Sequence, residues 1–123
     1  MTSFRVLPLF LHASLLLHIP ASAQHTRFRY FGVEQGLPQS SVQTILQDSR
    51  GGLWIGTMSG VSRYDGTGFL NYSRKNGLAG NWVTVAISDE RNNIWFGHRG
   101  GGISMYNPGT GVMKTVLGSA AVP

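Results

Sequence analysis

Cysteine is absent from the 123 residues, and charged residues are scarce. Without cysteine the chain can form no disulfide, no thiolate metal site and no cysteine nucleophile, so packing alone must stabilise it. Only 12% of the residues are charged, ten of them basic and five acidic. The basic residues are scattered among acids and turns, whereas nucleic-acid-binding proteins cluster them on one surface. We therefore expect no nucleic-acid partner for this segment.

Long apolar runs are also missing, except at the N-terminus. Val6 to Ile19 form an apolar stretch behind one early cation, and the stretch is shorter than the roughly 20 residues that cross a bilayer. The small residues Ala21-Ser22-Ala23 follow, as at a signal-peptidase site. We predict that residues 1–23 are an export signal cleaved after Ala23, which places the mature chain in the periplasm or outside the cell. An uncleaved anchor or a buried amphipathic helix is the alternative.

What the sequence has is repetition. The stretch "GGLWIGT" at 51–57 returns 41 residues later as "NNIWFGH" at 92–98. Ahead of each copy, apolar and polar residues alternate, which predicts a strand with one consistent face. The positions that superpose in these two strands are Val42, Thr44 and Leu46 on Val83, Val85 and Ile87.

Each copy contains four short predicted strands separated by turn residues. Gly51-Gly52 and Asn92-Asn93 suit tight hairpins because glycine and asparagine tolerate positive φ. After one extra residue within 99–102, the copies match at an offset of 42, and an insertion of this kind belongs in a turn. A period near 40 residues with four strands is that of a β-propeller blade, and the 3.6-residue spacing of helical repeats is missing.

The predicted fold is therefore all-β, with two blades of four antiparallel strands and an incomplete ring. The blades span 36–76 and 77–117, and 118–123 begins a third repeat. Phe28–Phe31 lies 41 residues before Phe69–Tyr72, so we interpret 24–35 as a lone outer strand that would complete another blade.

The repeated tryptophans and glycines have a packing interpretation. Both faces of a blade contact neighbouring blades, which explains why the strands around Trp54 and Trp95 lack polar interruptions. A buried tryptophan needs a single hydrogen-bond partner for its indole N–H. Gly56 and Gly97, two residues further on, are predicted to leave room for an indole of the adjacent blade.

Residues that could perform chemistry are few. Asp48 and Asp89 recur with the repeat, and we predict that they cap turns through backbone N–H groups rather than act as an acid–base pair. His25 and His98 share no metal-binding spacing with any carboxylate. The sequence therefore predicts no catalytic residue, no metal and no cofactor in this chain.

Together these motifs resemble the two-component regulator propeller repeat. The residues that carry the resemblance are "GLPQSSVQTILQDSRGGLWIGTMSGVSRYDG" at 36–66 and "GLAGNWVTVAISDERNNIWFGHRGGGISMYNPGTG" at 77–111. His98 in place of Thr57, with the added glycine beside it, departs from the pattern in one turn. The resemblance implies the N-terminal part of a periplasmic sensor of a hybrid histidine kinase. It further implies oligosaccharide signals, a membrane helix and a kinase encoded downstream, and further blades in the same chain.

Propeller topology suggests which residues would contact a ligand, because two sets of loops emerge on the rim where the first strand of each blade begins. Trp82 is preferred among them, since its repeat counterpart is Ser41 and a scaffold aromatic would recur. The predicted ligand-binding residues are Gln39, Ser40, Asn81 and Trp82 from the loops between units, with Ser59 and Arg99 from the turns between second and third strands.

A second function class stays open. The chain could be a secreted propeller that acts alone, either as a carbohydrate-binding or adhesion module completed by self-association, or as a lyase or glycosidase of the propeller kind. An enzyme would need convergent acid, base or metal-binding residues, and a sensor would need further blades followed by a membrane helix.

Overall fold

The computed structural model describes residues 26–118. The predicted export signal, its cleavage site and residues 119–123 lie outside this range. The described chain forms eight strands and two short 3-10 helices, at Val33–Gln35 and Arg74–Asn76. The strands are β1 (Val42–Gln47), β2 (Leu53–Thr57), β3 (Gly60–Tyr64), β4 (Phe69–Tyr72), β5 (Val83–Ser88), β6 (Ile94–His98), β7 (Ile103–Asn107) and β8 (Val112–Leu117).

The strands form two four-stranded antiparallel sheets, ordered β1-β2-β3-β4 and β5-β6-β7-β8. Each sheet is one blade, so the predicted all-β fold of four-stranded blades is confirmed. Gly51 and Asn92 occupy equivalent hairpin positions with φ of 83° and 62°, which explains why the sequence places glycine or asparagine there. Within residues 26–118 the two blades do not close a ring.

The core lies between the two blades. Trp54 of β2 is fully buried, with its ring 5.4 Å from that of Phe96 in β6 and 4.7 Å from that of Tyr106 in β7. Leu78 and Met113 belong to the same cluster. The opposite face of each blade carries exposed apolar side chains, Ile45 in the first blade and Val85, Ile87 and Ile103 in the second.

The prediction of a consistent face along the first strand of each blade is wrong. The pairing of β5 with β6 shifts between Val83 and Val85, as it does at the matching point of β1. A bulge of this kind turns the side chains that follow it to the opposite face. Val83 and Ala86 are consequently buried between the blades, whereas Val85 and Ile87 are exposed.

The prediction that Gly56 makes room for an indole is also wrong. A Cβ at this position would lie 2.6 Å from Cγ2 of Thr44 and 2.8 Å from Cγ1 of Val83. The space is therefore used by a strand neighbour and by a valine of the adjacent blade. At Gly97 the closest atom is Cγ1 of Val85, in its own blade, at 2.6 Å.

The two repeated tryptophans differ in environment. Trp54 packs between the blades as predicted, whereas Trp95 points to the opposite face of its own blade and is half-buried. It borders an apolar hollow of about 240 Å³ together with Val85, Ile87 and Ile103. The packing interpretation is therefore confirmed for Trp54. Among the described residues, no further blade packs against the face that carries Trp95.

Residues 26–31 contain no strand, but one side chain there follows the repeat. The ring of Phe31 lies 4.8 Å from that of Tyr64, and the rings of Tyr72 and Tyr106, 41 and 42 residues later, are 5.8 Å apart. Phe31 thus contacts the first blade as Tyr72 contacts the second. That this segment is the outer strand of another blade stays a prediction.

Candidate functional site at the upper rim

The blades have two ends with different loops. The upper rim, where β1 and β5 begin, comprises residues 36–41, 58–59, 73–82 and 99–102. The lower rim comprises the hairpins at 48–52, 65–68, 89–93 and 108–111. All six predicted ligand-binding residues belong to the upper rim.

Trp82 and Arg99 are in direct contact at that rim. The guanidinium carbon of Arg99 lies 4.1 Å from the centroid of the Trp82 ring, and the backbone N–H of Arg99 donates to the carbonyl of Trp82 at 3.0 Å. Arg99 is exposed and Trp82 is half-buried. The stack holds a planar cation flat on an aromatic surface, a geometry in which arginine is attracted to the ring.

Asn81 shapes the loop beside this pair. Its side-chain oxygen accepts a hydrogen bond from the backbone N–H of Arg74 at 3.0 Å, at the start of the short helix Arg74–Asn76. Ser73 caps that helix by accepting from the backbone N–H of Lys75. The side-chain oxygen of Asn81 therefore stabilises the local loop. Asn81 itself is exposed and precedes Trp82 in the sequence.

The remaining predicted residues belong to the first blade or its turn. The side-chain oxygen of Gln39 accepts from the backbone N–H of Ser41 at 2.8 Å, which commits it to the local loop. Ser40 borders a hollow of about 450 Å³ that also contacts Tyr30 and Ile45, on the face away from the second blade. The backbone N–H of Ser59 donates to the Thr57 hydroxyl. The structure joins Trp82 to Arg99 and places these three residues in separate contacts.

A buried histidine lies beneath the rim. Nε2 of His98 and the hydroxyl of Ser104 are 2.7 Å apart, and that hydroxyl accepts from the backbone N–H of Ala79 at 2.8 Å. Nδ1 of His98 is buried and has no hydrogen-bond partner among the described residues. Burial lowers the pKa of His98, with an opposing contribution from the backbone of Gly80. His98 thus connects the upper-rim turn to Ser104 of β7, a contact that the sequence analysis did not predict.

A carboxylate of the lower rim, that of Asp48, accepts four hydrogen bonds. Oδ1 of Asp48 accepts from the backbone N–H groups of Arg50 and Gly52 at 3.0 and 2.9 Å. Oδ2 accepts from the indole of Trp54 at 2.9 Å and from Nε of Arg63 at 2.8 Å. The predicted turn-capping role of Asp48 is confirmed.

The charge partner Arg63 was missed by the sequence analysis, because its repeat counterpart is Met105 and no periodic signal marks it. Burial raises the pKa of Asp48, but hydrogen bonds from Arg63, Gly52 and Trp54 outweigh this effect and hold the pKa below its ordinary value. All four bonds engage the carboxylate, so it is a structural group although it borders a cavity of about 140 Å³.

Asp89 repeats the same arrangement in the second blade. It accepts from the backbone N–H groups of Arg91 and Asn93, both at 2.9 Å, and from the indole of Trp95 at 2.8 Å. The hydrogen bond from Trp95 and those from Asn93 lower the pKa of Asp89 against a smaller effect of burial. Asp48 and Asp89 therefore cap equivalent hairpins. Within residues 26–118 no group of three histidine or carboxylate side chains is placed to hold a metal ion.

Comparison with known proteins shows which family the first repeat resembles. Residues 36–59 match the family model of the two-component regulator propeller. Residues 36–59 are thus similar in sequence to one two-component regulator propeller repeat. The matched residues include the upper-rim loop before β1, the Asp48 hairpin and all of β2, which are the elements described above.

Two relatives extend the match. Over 72 residues the chain is 36% identical to "Histidine kinase P4" of Formosa agariphila, an alignment that covers 58% of this chain and 5% of that protein. The fold of this chain matches that of the extracellular domain of a hybrid two-component system from B. thetaiotaomicron, with a TM-score of 0.62 and 30% identity. The match covers 71% of this chain and 13% of that domain. This chain therefore spans only a small part of the length of each relative.

No helix in the described part of the chain is long and apolar enough to span a bilayer.

Proposed function

We propose that this chain is part of the ligand-sensing β-propeller of a two-component receptor, exported to the periplasm or beyond, and that its ligand is an oligosaccharide. The observation that carries the proposal is the pair of four-stranded blades of the regulator propeller repeat, matched in fold to the extracellular domain of a hybrid two-component system. The similarity to a histidine kinase supports an intracellular kinase as the output of the whole receptor.

The upper rim is the proposed contact surface. Loops on a rigid scaffold are where binding residues concentrate. At this rim the exposed Arg99 stacks on the half-buried Trp82, and the first blade has no such pair because Ser41 stands at the repeat position of Trp82. The lower-rim carboxylates, in contrast, are engaged in capping hairpins. We assign the sensing contact to the stack and a structural role to the carboxylates.

Binding is tested with the chain exported by a bacterial host and purified from its periplasm, titrated calorimetrically with a panel of neutral and acidic oligosaccharides. We expect saturable binding to at least one oligosaccharide of the panel. Trp82→Ala should weaken this binding, whereas the control Arg91→Gln, at the lower rim, should leave the affinity unchanged. Absence of binding across the panel, or unchanged affinity in Trp82→Ala, contradicts the proposal.

Two further measurements test the rest of the proposal. The mass of the exported chain reports whether cleavage follows Ala23, since the processed chain begins at Gln24. The coding DNA beyond codon 123, read in the same frame, is expected to encode further blades, a membrane helix and a kinase. A stop codon at that point removes the receptor assignment and favours a small secreted binding module.

A further inference from the structure

The stack at the upper rim determines what a ligand meets there. Because Arg99 lies over the ring of Trp82 at 4.1 Å, one face of the indole is covered by a guanidinium and is closed to a stacking sugar. That group presents five N–H donors in its plane and no acceptor. Carboxylates and sulfates match this fork better than hydroxyl groups do, and charged acceptors give the stronger hydrogen bonds.

Arg99 is held in place before any ligand arrives. Its backbone N–H is bonded to the carbonyl of Trp82, and its side chain lies on the same residue. A side chain that is already ordered loses less conformational entropy on binding. Within residues 26–118, Arg63 and Asp48 form the ion pair with an N–O distance below 4.0 Å. No carboxylate of the described residues lies that close to the guanidinium of Arg99.

Acidic residues are concentrated at the lower rim, where the exposed Arg50 and Arg91 lie among them. Four of its five acidic residues lie in lower-rim hairpins, and Glu34 is the one in the loop that precedes β1. At the upper rim, the connection between the blades (73–82) and the turn at 99–102 carry three exposed cations and no acid. These cations are Arg74, Lys75 and Arg99.

The loop that carries two of these cations is tied to the stack. Asn81, the neighbour of Trp82, accepts from the backbone of Arg74 at 3.0 Å. The short helix that begins at Arg74 is therefore fixed beside the aromatic surface, and its charges add to the local potential. Unpaired charges of one sign attract ligands of the opposite sign within about 10 Å at 0.1 M salt.

We propose that the upper rim of the second blade binds saccharides that carry an oxyanion, either a uronate carboxylate or a sulfate ester, through the guanidinium of Arg99 held on Trp82. The inference rests on the proposed function and adds the chemical class of the ligand. Arg99 contacts the oxyanion, Trp82 positions Arg99, and Arg74 and Lys75 contribute charge.

Matched probes separate charge from saccharide recognition. Calorimetry of the exported chain uses an oligogalacturonate and its methyl ester, which has the same backbone without charge, together with a sulfated oligosaccharide and its desulfated form. We expect at least one acidic probe to bind roughly 10- to 100-fold more tightly than its neutral partner, the range expected for hydrogen bonds to a charged group. The preferred acidic probe then identifies carboxylate or sulfate as the source of the oxyanion.

Variants assign the effect to one residue. Arg99→Gln removes the preference for the acidic probe, Arg99→Lys keeps the charge and retains only part of it, and Trp82→Phe preserves the stacked surface and most of the affinity. Arg91→Gln removes the same charge at the lower rim and leaves the preference intact. Circular dichroism of each variant checks that the blades are folded.

Equal affinity for acidic and neutral probes overturns the assignment of an oxyanion and leaves the sensor proposal standing. Equal weakening by Arg99→Gln and Arg91→Gln also overturns it, because net charge alone would then account for the preference. If no saccharide binds, the proposed function itself fails.

Discussion

The indole nitrogen of Trp54 donates to Oδ2 of Asp48 at 2.9 Å, and this bond joins the packing of the blades to the capping of a hairpin. The tryptophan is fully buried between the sheets, so its N–H has no access to water. The carboxylate that accepts from it also accepts from two backbone N–H groups of its own turn. One aspartate thereby satisfies a buried donor and fixes the direction of the strand that carries it.

Asp48→Asn should therefore destabilise the chain. The amide of asparagine can accept on one side only, and its NH₂ group would face the indole of Trp54 or Nε of Arg63, both of which are donors. Leaving a buried donor unsatisfied costs about 1 to 3 kcal/mol. Urea unfolding followed by tryptophan fluorescence measures the change.

The matched control for this substitution is Asp89→Asn. It breaks the equivalent bond to Trp95, whose ring is half-exposed, so water can replace the lost acceptor. We expect the smaller loss of stability there, and equal losses at the two sites would show that burial of Trp54 does not determine the effect.

Gly56→Ala tests the packing between blades. The added methyl group would lie 2.6 Å from Thr44 and 2.8 Å from Val83, and overpacking of a close contact costs about 1 to 3 kcal/mol. Gly68→Ala is the control because a Cβ at Gly68 meets no atom within 4 Å and its φ is not positive. Val83→Ala in the Gly56→Ala background should recover part of the loss, and additive losses would contradict the proposed clash.

The fold was largely predictable because it is encoded twice. Two copies of an alternating strand, a hairpin and a Trp-x-Gly strand determined the blades, and the repeated aspartates indicated their turn-capping role. The bulge at Val83 and Val85 could not be inferred, because it depends on pairing with the neighbouring strand. The sequence pattern alone would place both valines on one face.

The candidate site was less predictable because it departs from the repeat. Trp82 was singled out because Ser41 stands at its repeat position. Its stack with Arg99 could not be predicted, because it depends on how the loop before β5 contacts the turn between β6 and β7. Ser104 recurs as Ser62 without any sign that one copy would bond a histidine. Nonperiodic contacts of this kind become visible only once both loops are placed.

The stability of the chain should fall as the pH is lowered below about 6.5, and His98 should account for part of the loss. Burial lowers the pKa of this histidine in the folded state, so below the ordinary value near 6.5 the unfolded chain binds the proton more readily. Stability is then lost as the pH falls from 6.5 toward the folded pKa, and it is unaffected by this group at higher pH.

His98→Gln removes the titrating group and keeps a side chain that can reach Ser104. Unfolding free energies of the wild type and the variant, measured between pH 5 and 8, should show the larger slope in the wild type. Parallel curves for wild type and His98→Gln would exclude His98 as the source of the slope.

Arg63→Met should reduce the acid sensitivity of the chain. The substitution installs the residue found at the repeat position, Met105, and can keep the packing against Trp54, whose ring centroid lies 5.9 Å from the guanidinium carbon of Arg63. It removes the bond that helps to hold the pKa of Asp48 below its ordinary value. Stability that depends on a lowered carboxyl pKa is present above the unfolded pKa near 3.8 and is lost as the pH falls through the folded pKa.

We therefore expect the difference in unfolding free energy between pH 7 and pH 3 to be smaller in Arg63→Met than in the wild type. The change at pH 7 should stay near 1 kcal/mol or below, because the pair is partly exposed to water, which screens it. Arg91→Met, at a residue with no recorded ion pair in the described part of the chain, should leave the difference unchanged. If Arg63→Met and the wild type lose equal stability in acid, the backbone and indole bonds alone set the pKa of Asp48, and the ion pair contributes nothing to the blade.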